Sequence, residues 1–142
     1  MSETLEAPVV PFAETKGGVV AYLAVDGAAK AAAFYEKAFD ATIATQHPLD
    51  EKGRTMHIHL YINGSSVMLS DFYPEQGHGK VAPAGFSLML KVDDADAWFD
   101  RAVKGGMTAI MPVQNMFWGD RYGQLKDEFG VIWAINGPIT TQ

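Results

Sequence analysis

A strand-to-helix junction occurs twice in this chain, and that repeat constrains the fold more than any single residue does. The first junction is Val25-Asp26-Gly27-Ala28 and the second is Val92-Asp93-Asp94-Ala95, each preceded by an apolar run and followed by helical spacing. Each then continues into hairpin-like sequence, so the chain reads as two copies of one β-α-β-β-β unit. Paired units of this kind form a curved mixed sheet around a cavity, an α+β architecture.

The local signals support that reading. Val19 to Leu23 has the apolar, β-branched character of a buried strand, and Asp26 is placed to cap the helix that follows. In that helix Ala28, Ala31, Ala32, Tyr35, Ala38 and Phe39 form one apolar face. In the second, Ala95, Trp98, Phe99, Ala102 and Val103 do the same, with Asp93 or Asp94 as cap and Gly105-Gly106 as terminator. Asn63-Gly64 between Thr55–Ile62 and Ser66–Asp71 is a hairpin signal, because both residues tolerate positive φ. Asp127 to Gly130 is a tight turn between Arg121–Lys126 and Val131–Asn136, with Asp127 as a turn residue.

The expected organisation is a flexible N-terminal tail over 1–16 and a single domain over 17–138. Its modules cover about 17–73 and 84–138, joined by the Gly- and Pro-rich stretch Pro74 to Pro83. The apolar runs fall well short of the roughly 20 residues of a membrane helix, and the first residues do not read as a signal peptide. A net charge of -6 with thinly spread Lys and Arg argues against a nucleic-acid partner, and the absence of cysteine excludes disulfides, thiolate metal sites and a Cys nucleophile. These features together favour a cytoplasmic protein.

Strand alternation sorts side chains into a face packed on helix and a face turned to the cavity. Met56, Ile58, Leu60 and Ile62 are expected against a helix, with His57, His59 and Tyr61 opposite. An odd loop at Asn63-Gly64 would join the histidines to Leu69 and Asp71, whereas a strict two-residue loop would separate them. In the second half Phe86, Leu88, Leu90, Val92, Trp133 and Ile135 are expected inward. Ser87, Met89, Lys91, Ile132, Ala134 and Asn136 then face the cavity, whose mixed, largely apolar walls suit a small organic ligand.

Phe34-Tyr35-Glu36-Lys37-Ala38-Phe39, Val67-Met68-Leu69-Ser70-Asp71, Trp118-Gly119-Asp120-Arg121-Tyr122-Gly123 and Asp127-Glu128-Phe129-Gly130 together carry a resemblance. The chain resembles the glyoxalase, bleomycin-resistance and extradiol-dioxygenase (vicinal oxygen chelate) superfamily, and within it the PhnB-like branch, over about Gly17 to Asn136. The resemblance implies paired modules, a homodimer and, in the family's enzymes, a divalent metal held by His, Gln or Glu from four strands. Alignment on the repeated junctions and the Asp-x-Phe-Gly turn puts Val20, Leu69, Ser87 and Ala134 at those positions. None is a usual ligand for such an ion.

The first expectation is therefore a PhnB-like protein that binds a small organic molecule without the standard metal site or any cofactor. His57, His59, Tyr61, Leu69, Asp71, Ser87, Met89 and Ala134 are the candidate contacts from the strands. Trp118 would stack on the ligand, with Asp120, Tyr122 or Gln124 hydrogen-bonding to it. Equally, Gly119 and Gly123 could serve backbone bends while Asp120 and Arg121 pair to fix the loop. A second expectation is a lyase, isomerase or dioxygenase using a divalent metal displaced to His57, His59 and Asp71, since His-x-His puts two imidazoles on one strand face. A third is a non-catalytic structural dimer. His47 and His78 are expected in solvent.

Overall fold

The computed structural model describes residues 13–141, so the tail expected over 1–16 lies, but for its last four residues, outside the described residues. Each half forms a four-stranded sheet carrying one helix. The first contains β1 (Ala21–Val25), α1 (Ala28–Phe39), β2 (Thr42–Gln46), β3 (Ile58–Ile62) and β4 (Ser65–Asp71). The second contains β5 (Leu88–Lys91), α2 (Ala95–Lys104), β6 (Thr108–Asn115), β7 (Asp120–Lys126) and β8 (Ile132–Pro138). The strand orders are β1-β4-β3-β2 and β5-β8-β7-β6, with the first pair parallel and the others antiparallel in both sheets. The repeat read from the sequence is thus a repeat of topology. No described helix is long and apolar enough to cross a membrane.

One buried core joins the two modules. Leu23, Val25, Ile58, Leu60 and Leu69 pack on α1 from the first sheet, and Leu90, Leu125, Trp133 and Ile135 line the helix side of the second. Trp133 bridges the modules, with its ring centroid 4.9 Å from Phe39 and 5.2 Å from Tyr35, both on α1. The two helices approach closely at Gly105, where an added Cβ would lie 2.9 Å from Ala38 Cα. Burial of these side chains, each contributing about 1.5–3 kcal/mol, dominates the stability of the pair.

Several local expectations change. The α1 N-cap is Gly27, in a left-handed conformation with φ 105° and no capping side chain of its own; Asp26 instead pairs with Lys80 at 2.7 Å. The cap comes from Asp71 on β4, whose Oδ1 accepts from Gly27 N at 2.8 Å and Ala28 N at 3.0 Å. On α2, Asp94 caps as expected through Ala97 N. β1 is half-buried rather than fully buried, since it is the edge strand and Val19 before it is 97% exposed. Met56, at 54% exposure, falls before β3 begins and does not reach α1. Phe86 and Val103 are likewise exposed, the first ahead of β5 and the second on the solvent flank of α2.

Candidate functional site

The two-residue turn at Asn63-Gly64 fixes the register of β3 on β4. Ile62 pairs with Ser65, so His59 lies opposite Met68 and Tyr61 opposite Ser66, while Leu69 lies opposite Ile58 on the helix side. The face away from α1 therefore carries Tyr22 and Ala24 from β1, Ser66, Met68 and Ser70 from β4, and His59 and Tyr61 from β3. Leu69 and Asp71, expected in the cavity, are not on this face. Leu69 is wholly buried against the helix.

Asp71 is also fully committed to backbone donors. Besides capping α1 through Oδ1, it accepts from Thr55 N at 2.8 Å through Oδ2. The set His57, His59 and Asp71 is therefore not brought together, because the even hairpin loop turns the carboxylate to the opposite side of the sheet. Among the described residues, no group of three or more His, Cys, Asp or Glu side chains is arranged to hold a metal ion.

The histidines have other partners. His57 Nδ1 lies 2.8 Å from the Tyr22 hydroxyl, and its ring meets His47 at 5.7 Å. His47 is thus half-buried beside His57 rather than free in solvent, whereas His78 is exposed as expected. Burial lowers the His57 pKa, and the neighbouring His47 and His59 lower it further. His59 is only 2% exposed, with Nε2 2.7 Å from Ser66 Oγ, and burial lowers its pKa as well.

The second sheet's open face is built by β5, β7 and β8. Met89 lies opposite Ala134, and Gln124 flanks Ala134 from the other side. Tyr122 lies opposite Asn136, and the Gln124 amide donates to the Tyr122 hydroxyl at 3.0 Å. Trp118, at the tip of the β6–β7 hairpin, meets Tyr122 edge-on at 5.4 Å. Trp118, Tyr122 and Gln124 are thus brought together, with Met89 and Ala134 on the same sheet face. Asp120 begins β7 on this face, but it does not pair with Arg121. Arg121 turns to the helix side and bonds both oxygens of Asp96 on α2, at 2.7 and 3.0 Å.

Both open faces retain exposed apolar side chains, at Tyr22, Met89 and Trp118. A cleft of about 560 Å³ runs between the first sheet and the outer edge of β5, with Ser66, Ser87, Met89 and Lys91 among its walls. A second, of about 300 Å³, lies between Tyr22 and Ala24 on β1 and the linker residues His78, Val81 and Phe86.

The four positions that the resemblance implies for a metal can be located on the sheets from the strand pairing. Leu23 pairs with Leu69 as Leu90 pairs with Ile135, and the repeated junctions equate Leu23 with Leu90. Met68 is then the counterpart of Ala134, so the first-module position belongs to Met68 rather than Leu69. Val20, Met68, Ser87 and Ala134 supply two aliphatic side chains, a thioether and a hydroxyl. That set does not fit a divalent ion seeking imidazole or carboxylate donors.

Sequence reasoning overlooked Tyr22, Ser66 and Met68. For Ser66 and Met68 the signal is the Asn-Gly dipeptide, because a two-residue turn imposes their register on β3, whereas Tyr22 is placed by the parallel pairing of β1 with β4, which no local pattern names.

Comparison with known proteins agrees with the topology. Residues 17–135 match the model of the Glyoxalase/Bleomycin resistance protein/Dioxygenase superfamily. The chain is 40% identical over 124 residues to the uncharacterized protein Mb0911c of Mycobacterium bovis, covering 83% of this chain and 81% of that one. It superposes on protein PA1353 from Pseudomonas aeruginosa with a TM-score of 0.70 at 27% identity, covering 86% of this chain and 98% of that one. The fold is also that of the PhnB protein from Bacillus cereus, with a TM-score of 0.64 at 22% identity and coverage of 84% and 98%. The chain belongs to the glyoxalase/bleomycin resistance protein/dioxygenase superfamily.

Proposed function

We propose that this PhnB-like protein binds a small organic molecule on the open faces of its sheets, without a metal at the family's usual positions. The observation that carries this reading is the grouping of Trp118, Tyr122 and Gln124 on the sheet face that also bears Met89 and Ala134. An indole edge, a phenol, an amide and a thioether around a small residue offer apolar contact with a few directed hydrogen bonds. That is the composition of a ligand site rather than of a site that ionises water.

The binding unit in this reading is a homodimer. Each chain leaves Tyr22, Met89 and Trp118 uncovered on the open faces, and Phe117 stands 95% exposed in the hairpin turn beside Trp118. A second copy that lays its first sheet over the second sheet would enclose them. Such an arrangement makes a cavity from Tyr22, His57 and Met68 of one chain and Met89, Trp118 and Gln124 of the other.

Native mass spectrometry of gently purified protein tests this. The expected result is twice the chain mass with an organic adduct that denaturation releases and Trp118→Ala abolishes. A monomer with no adduct, prepared from several growth conditions, contradicts the reading. A dimer that never carries an adduct would instead support a purely structural role.

A further inference from the structure

The segment ahead of β1 lies against Tyr61 and Ser66 on the open face of the first sheet, and both of these touch His59. We infer that Glu14–Lys16 is a releasable strap over Tyr61 and Ser66 that screens His59, so that this part of the first sheet's open face, beside the Tyr22, His57 and Met68 wall of the proposed site, stays covered until the strap leaves. The inference rests on the reading of the open faces as the ligand site.

Its contacts are specific. Tyr61 donates its hydroxyl to Glu14 O at 2.7 Å, and Lys16 N donates to Ser66 Oγ at 2.7 Å. Ser66 N in turn donates to Lys16 O at 2.9 Å, and the Lys16 ammonium lies 4.5 Å from the centre of the Tyr61 ring. The strap thus occupies both hydroxyls and the ring that a ligand on this face would meet. Beneath it, His59 and Ser66 are buried to 2% and 3% exposure although they lie on the face away from the helix.

What holds the strap is polar, and it sits on a hinge. Glu14, Thr15 and Lys16 are all exposed, so none of these three residues is anchored by a side chain buried in the core. Gly17 and Gly18 separate it from β1, Gly17 with φ +109°, a conformation that costs glycine little, and Gly18 has open space where a Cβ would stand. Segments held by few apolar contacts and exposed hydrogen bonds open at lower free energy than the core around them.

Hydrogen exchange on the full chain tests the strap without any ligand. The Ser66 amide reports it directly, since its partner is Lys16 O, and Leu69 on the same strand serves as the core reference. Ser66 is expected to exchange well ahead of Leu69. Tyr61→Phe, which removes the donor to Glu14 O, is expected to speed Ser66 exchange about fivefold and leave Leu69 unchanged. Carbethoxylation of His59 by diethyl pyrocarbonate, followed by peptide mass spectrometry with His78 as exposed reference, is expected to rise in the same variant. Exchange of Ser66 at the Leu69 rate, or no change at Ser66 and His59 in both Tyr61→Phe and Lys16→Ala, overturns the strap. Since neither readout uses a ligand, that failure leaves the binding proposal to its own test.

Discussion

Tyr35 on α1 donates its phenol hydrogen to Asp127 Oδ2 at 2.5 Å, and through that buried contact the helix of the first module is tied to the turn of the second. The same oxygen accepts from Trp133 Nε1 at 2.9 Å, while Oδ1 accepts from Phe129 N and Val131 N. One carboxylate therefore closes the β7–β8 turn and joins the modules.

Removing it should be costly. Asp127→Ala leaves two amides, an indole and a phenol without their acceptor, and each unsatisfied buried donor costs about 1–3 kcal/mol. The expected loss is at least about 3 kcal/mol, against about 1–2 kcal/mol for Tyr35→Phe, which removes one donor and leaves the other bonds in place. Urea unfolding midpoints compare the two directly.

The same contact predicts an alkaline limit to stability. Burial, and next the nearby Asp127 charge, raise the Tyr35 pKa well above its ordinary value. The unfolded phenol ionises near pH 10, so the stabilising contribution is complete below that pH and is lost as pH rises beyond it. Unfolding midpoints measured from pH 9 to 11 should fall more steeply for the natural chain than for Tyr35→Phe.

Asp71 and Trp118 should separate stability from binding. Asp71→Ala removes the acceptor for Gly27, Ala28 and Thr55 amides and should cost about 2 kcal/mol of stability. Trp118→Ala, at an exposed hairpin tip, should change stability by no more than about 0.5 kcal/mol while abolishing retention of the organic ligand. Thermal unfolding alongside native mass spectrometry gives both quantities for each variant.

His57 should titrate below the ordinary histidine range, because burial first and the His47 and His59 charges next disfavour its charged form. A lowered folded pKa means that the stabilisation is complete above the unfolded value of about 6.5 and is lost as pH falls below it. Imidazole proton shifts followed by NMR should place the His57 midpoint below about 6.5, and His47→Ala should move it partway back.

Much of the fold could be read from the chain because its signals are local. The Val-Asp junctions, the apolar faces of α1 and α2, Asn63-Gly64 and the Asp127 turn each act over a few residues. What the sequence left open was set by pairing across strands. The parity of β3 on β4 decides whether Asp71 joins His57 and His59, and only the two-residue turn settles it. The α1 cap was misplaced for a similar reason: Asp26 is adjacent in sequence, but Asp71 reaches the helix from 44 residues away. On the second sheet, Tyr122, Gln124, Met89 and Ala134 fell on the expected face because β7 and β8 pair without a bulge. Arg121 escaped, since its partner Asp96 lies on α2 and no local pattern names it.

Elemental analysis of protein purified without chelator or nickel resin tests the central claim most directly, because that claim concerns what Val20, Met68, Ser87 and Ala134 lack. The account predicts no divalent metal in stoichiometric amount and undiminished retention of the organic ligand after exhaustive dialysis against chelator. One ion per chain, lost together with the ligand on chelation, would contradict it, and retention of that ion in both His57→Ala and His59→Ala would put it at these four positions.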